Sequence, residues 1–144
     1  MIAARMRIYG SPAPQGSKRH VGGGRMIEAS RKVGPWREAV VSEAQRLGYD
    51  GLRFDGPLEV AITFYLPRPV SHRGARGLRP SAPVWPAKVP DLDKLARSTL
   101  DGLTQAAVIF DDSRVVVLHA SKTYDDEQAA GALIHITAAS EENK

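Results

Sequence analysis

Between Pro90 and Leu103 the apolar residues recur at helical rather than strand spacing, and this segment constrains what the rest of the chain must build around it. At about 100° per residue, Leu92, Leu95, Ala96, Thr99, Leu100 and Leu103 fall within one arc and face a core. Asp93, Arg97 and Asp101, spaced i, i+4, i+8, run along the flank of that arc, with Lys94 beside Asp101. Asp91 follows Pro90 and takes the N-cap position. Asp91 and Asp93 then both lie at the positive end of the helix dipole, which favours their ionised form. One helix thus carries a buried face and a charged ridge.

The remaining elements supply a sheet for that buried face. Leu58, Val60, Ile62, Phe64 and Leu66 alternate with Glu59, Ala61, Thr63 and Tyr65, the pattern of a half-buried strand. Met6 to Tyr9 is a short strand candidate. Val115 to Tyr124 and Ala132 to Ala138 are two more, expected as a hairpin around Asp125-Asp126-Glu127. Pro35 to Leu47 reads as a helix with Trp36, Ala39, Val40, Ala44 and Leu47 on one face and Gly48 as its stop, which makes Trp36 a core residue. This order predicts one α/β domain over residues 1–144, a mixed β-sheet with packed helices. A chain of 144 residues suffices for one core. Residues 10–35 and 67–90 are expected as irregular basic loops, and 140–144 as a frayed tail.

The ridge is chemically suggestive. It is followed closely by Phe110-Asp111-Asp112, so several carboxylates gather around one short helix. Like charges brought together are costly unless a cation sits between them. Mg²⁺ held by a few carboxylates and phosphate oxygens is a frequent remedy, and it suits chemistry on a phosphodiester. Each residue also has a plainer role: Asp91 as a cap, Arg97–Asp101 as an i, i+4 ion pair, and Asp111-Asp112-Ser113 as the start of a turn. Their joint pattern favours the metal site.

That pattern resembles the RusA family of Holliday junction resolvases: Asp91-Leu92-Asp93 at a helix start, Arg97 one turn on, Asp101 a turn further, then Asp111-Asp112 leading into a strand. Asp112-Ser-Arg-Val115-Val116 and Lys122 continue the likeness, with weaker similarity at Gly10-Ser-Pro12 and from Gly131 to Thr137. Residues 88–124 carry the specific part. Two positions depart from the family pattern: Lys94 stands where Asn is usual, and Arg97 where Lys is usual. Arginine keeps a cation for the scissile phosphate but is a poor proton donor.

The resemblance implies a RusA-like fold and a homodimer, whose two sites would nick symmetry-related strands of a four-way junction. It implies a Mg²⁺-dependent endodeoxyribonuclease, with Mn²⁺ as a substitute, acting in DNA recombination and repair. Asp91, Asp93 and Asp112 are then expected as metal ligands with Asp111 as a neighbour. Arg97 and Lys94 would neutralise phosphate charge, and Asp101 would orient Arg97. Two alternatives stand: a nuclease for other branched DNA such as forks and flaps, or a non-catalytic basic DNA-binding protein.

Charge distribution fits a nucleic-acid partner. Arg68, Arg73, Arg76, Arg79 and Lys88 lie between Pro67 and Pro90 with no acid among them, and these five outnumber the net charge of +4. Six prolines and two glycines make that stretch irregular, so it reads as a backbone grip beside the acidic motif. Lys18, Arg19, His20, Arg25, Arg31 and Lys32, around Gly22-Gly23-Gly24, form a second basic arm expected to reach DNA or a partner subunit. Lys122 is a further candidate DNA contact. The absence of cysteine excludes disulfides and zinc–thiolate sites. No apolar run reaches membrane-spanning length, and residues 1–7 lack a signal peptide's apolar core. The expected setting is the cytoplasm of a bacterium, for a host or a phage gene.

Overall fold

The computed structural model of the chain describes residues 2–16, 18–21, 25–28 and 32–140, with backbone only for residues 2, 3, 18–21 and 25–28. The alternating segment forms a nine-residue strand whose even-numbered residues are buried and odd-numbered residues half-buried. With Ile2–Tyr9 as β1, Lys18–Val21 as β2, Arg25–Glu28 as β3 and Leu58–Leu66 as β4, the strands continue through β5 (Arg73–Gly74), β6 (Gly77–Leu78), β7 (Val115–Tyr124) and β8 (Gly131–Ala138). The main sheet has the order β1-β8-β4-β7. β8 is antiparallel to both neighbours, whereas β4 and β7 are parallel, so the sheet is mixed as expected.

The parallel pair requires a crossover, and the acidic helix supplies it. Helix α1 spans Val33–Leu47 and α2 spans Leu92–Gln105. Trp36, Val40 and Ala44 of α1 are buried, as are Leu95, Ala96, Ser98, Thr99, Gly102 and Leu103 of α2. The helices meet closely: a Cβ on Gly102 would lie 3.1 Å from that of Val40, so glycine permits the approach. Beside it, the buried Trp36 Nε1 donates to Thr99 Oγ1 at 3.1 Å. Met6, Ile8, Val60, Ile62, Phe64, Ile134 and Ile136 complete the core from the sheet. Gly48, in the left-handed region at φ 75°, ends α1 by donating to the Ala44 and Gln45 carbonyls.

Three expectations change. β7 and β8 form no hairpin, because β4 lies between them. The physical reason is burial: Ala132, Ile134 and Ile136 are fully buried and take β8 to a central place, while Val116 and Leu118 leave β7 with an exposed edge. Residues 10–35 are not wholly irregular, since β2 and β3 pair antiparallel from Lys18↔Glu28 to Val21↔Arg25. Two short strand-compatible runs flank the glycines there; Gly22–Gly24 and Arg31 lie outside the described residues. Residues 67–90 contain a 3₁₀ turn at Val70–His72 and the β5–β6 pair, though the rest lacks regular structure. Of the expected frayed tail, residues 141–144 lie outside the described residues.

Candidate active site

Asp91 occupies the N-cap of α2 with extended backbone, but its side chain makes no capping hydrogen bond. The half-exposed carboxylate instead faces Lys94 Nζ at 3.9 Å. It is therefore available to a ligand in a way the capping role would have prevented. Asp93, in the first turn, and Arg97, one turn on, are both exposed.

The far end of the ridge differs from expectation. Asp101 forms no ion pair within 4.0 Å of Arg97; it lies against Asp112, which follows α2 and opens the 3₁₀ turn Asp112–Arg114. Burial and then the Asp112 charge raise the Asp101 pKa, against the opposing pull of Arg37 and Arg97. Thr104 Oγ1 donates to Asp112 Oδ1 at 2.5 Å and fastens that carboxylate to α2. Arg37 and Thr104 were not legible as site residues. Arg37 reaches the ridge only through the α1–α2 packing, and Thr104 only through the return of the chain.

Asp111 has a local task. Its carboxylate accepts the Ser113 N–H at 2.9 Å, capping the 3₁₀ turn, and those hydrogen bonds hold its pKa below the usual carboxylate value. Arg114 Nε donates to Asp55 Oδ1 at 2.6 Å, and its guanidinium lies 4.6 Å from the Phe110 ring centroid. The turn that delivers Asp112 is thus held from several sides.

Among the described residues, no three carboxylate or imidazole groups gather closely enough to hold a metal ion. Eight helical steps lead from Asp93 to Asp101, about 12 Å along the axis, so the acidic motif is drawn out along the ridge. The donor chemistry nevertheless fits a hard divalent cation. Carboxylates and a hydroxyl offer only oxygen, and the Asp101–Asp112 pair is one that a shared proton or a divalent cation relieves.

Two residues expected to meet DNA have other partners. Arg68 is buried: its guanidinium donates twice to Asp126 at 2.7 Å and once to the Pro83 carbonyl at 2.8 Å, and it lies 4.0 Å from the Tyr124 ring centroid. The same pairing lowers the Asp126 pKa. Arg68 therefore organises the basic loop and is withdrawn from its surface. Lys122 Nζ donates to the carbonyls of Lys88 and Pro90 at 2.6 and 2.8 Å, tethering β7 to the chain just before Asp91.

Arg73, Arg76, Arg79 and Lys88 are exposed, as a backbone grip requires. Arg73 stands 3.6 Å from Asp126, and Arg79 Nε donates to the Ser71 carbonyl at 3.1 Å. The side chains of Lys18 and Arg19 lie outside the described residues. Also among the described residues, no helix is long and apolar enough to cross a membrane.

The family model described as endodeoxyribonuclease RusA matches residues 10–137. A comparison with individual curated proteins gave no match. The match covers most of the chain, and the chain belongs to this family of nucleases.

Proposed function

From membership in the RusA endodeoxyribonuclease family, we propose that this protein resolves Holliday junctions by paired nicks, using Mg²⁺ with Mn²⁺ as a substitute, as a homodimer in a bacterial cytoplasm. The observation that carries the reading is the charge layout of α2. Exposed Asp91, Asp93 and Arg97 line a ridge that ends at Asp101 and Asp112, and the basic loop leads directly into it.

Asp91 and Asp93 at the start of α2, and Asp112 beside Asp101 at its far end, are the residues proposed to hold divalent metal. The strained proximity of Asp101 to Asp112 favours a cation there, and Asp111, engaged with Ser113 N–H, is the weaker candidate. A bound divalent ion would polarise the phosphate and make water a better nucleophile. Arg97 faces the strand as a permanent cation and offsets the negative charge that builds on the phosphate. Lys94, held near Asp91, adds a second cation at the helix start. Arg76 and Lys88 bind backbone phosphates beside the ridge. A twofold dimer would present two such ridges to a twofold junction.

The test is a cleavage assay on four-way junctions, forks, flaps and linear duplexes, with and without Mg²⁺. Paired nicks confined to junctions and requiring the metal are expected. Metal-dependent nicking of forks or flaps in preference to junctions would reassign the substrate.

A further inference from the structure

A cavity of about 450 Å³ opens beside the acidic helix, within the range of about 300–1,000 Å³ typical of small-ligand sites. Pro12, Leu66, Pro69, Pro86 and Pro90 form its apolar walls. Its floor is anchored: the buried Ser98 hydroxyl of α2 donates to the Ala13 carbonyl at 2.6 Å. Tyr124 lines it too, and register explains how. Leu66↔Tyr124 and Phe64↔Lys122 are cross-strand partners, so Tyr124 and Lys122 share the helix-facing side of the sheet with the core residues Phe64 and Leu66.

Tyr124 is only 5% exposed and its hydroxyl is buried, so the residue meets the cavity with its ring. The ring cannot easily turn away, because Arg68 lies over its face and His72 meets it edge-on at 5.6 Å. Lys32 and Lys88, both exposed, stand at the rim of the same cavity.

We propose that this cavity receives one unstacked nucleotide of the bound DNA, its base between the proline rings and against the Tyr124 ring, its flanking phosphates on Lys32 and Lys88. Apolar walls for a base and cations at the mouth for its phosphates are the recognition chemistry of an extruded base. The site adjoins Pro90, so the nucleotide lies next to the strand presented to Asp91 and Asp93. Branched DNA offers such a nucleotide at low cost, because unpairing is easiest where stacking is already interrupted. This inference rests on the proposed action on branched DNA and adds how the enzyme chooses the position of its nick.

The experiment uses the full-length protein and four-way junctions with 2-aminopurine placed singly at each nucleotide flanking the mapped nick. Binding should raise fluorescence several-fold at one position and little at the others. Ser11→Trp, which fills the mouth, should abolish the fluorescence rise while junction binding persists. If the junction is bound and cut yet fluorescence stays flat at every position, the pocket reading is overturned and the resolvase reading stands. If no branched DNA is bound or cut, both readings are overturned.

Discussion

Lys122→Met tests whether the acidic helix is positioned from the sheet. The substitution keeps the apolar stem and removes an ammonium that donates to the Lys88 and Pro90 carbonyls at 2.6 and 2.8 Å. A hydrogen bond from a charged donor contributes about 1.5–3 kcal/mol when shielded from water. Lys122 is only half-buried and the exposed Lys88 segment can rehydrate, so the two bonds together should contribute about 1–2 kcal/mol. With a urea m-value of about 1–3 kcal/mol/M, the unfolding midpoint should fall by about 0.3–2 M. Junction cleavage should fall further, by about 10- to 100-fold, because the tether ends one residue before Asp91 and small misplacements are amplified in rate. The salt dependence of binding should not change. Wild-type stability together with a log–log salt slope reduced by about 0.9 would refute the tether and make Lys122 a phosphate contact.

Asp101→Asn should stabilise the protein at pH 7 by roughly 0.5 kcal/mol, the size of a screened like-charge contact, as read by thermal unfolding. Because the folded-state pKa of Asp101 is raised, its favourable contribution is complete below about pH 4 and is lost as pH rises through the raised value, so the variant should gain only above that window. Asp93→Asn should abolish cleavage while leaving junction affinity equal or better in a binding assay, since the lost charge also repelled phosphates. Alanine at Arg73, Arg76 and Arg79 together should reduce the salt slope by about 2, not the full value for three phosphates, because Arg73 is shared with Asp126. Arg68→Ala should expose the amides of residues 67–90 to hydrogen exchange. The wild-type loop should lose the same protection as pH falls through the depressed Asp126 pKa, where the pair's stabilisation, present above about pH 4, disappears.

Local periodicity made three elements legible. β4 alternates over its whole length, and α1 and α2 each show one apolar face, so their extents agree with expectation to within two residues. Periodicity reports which face of an element is buried but not what lies against it. The sequence therefore left β7 and β8 free to pair, although burial sends β4 between them. The same limit hid the side-chain partners. Arg68 sits in a basic run and reads as a DNA contact until Asp126, 58 residues away, is seen to hold it. Lys122 reads the same way until the carbonyls 32 and 34 residues earlier come into reach. Asp101 is the opposite case. Its i, i+4 spacing to Arg97 is local and visible, yet the stronger neighbour is Asp112, delivered by a turn held by Thr104, Asp111 and Arg114.

The crossover itself explains why the site is long instead of compact. β4 and β7 are parallel and end together at Leu66 and Tyr124, and the open ends of such strands are where ligands gather in α/β sheets. The basic loop leaves from that end, the cavity lies there, and α2 begins there with Asp91 and Asp93. To return the chain to the start of β7, α2 must run back along the sheet, which carries Asp101 and Asp112 toward the opposite end. Arg97 is left between the two acidic ends. A DNA strand laid along this ridge meets repulsion at both ends and attraction in the middle unless cations cover the carboxylates. On the proposed function, metal loading and productive seating of the strand would be coupled by the charge order of a single helix, and the basic loop would supply the affinity that the bare ridge opposes.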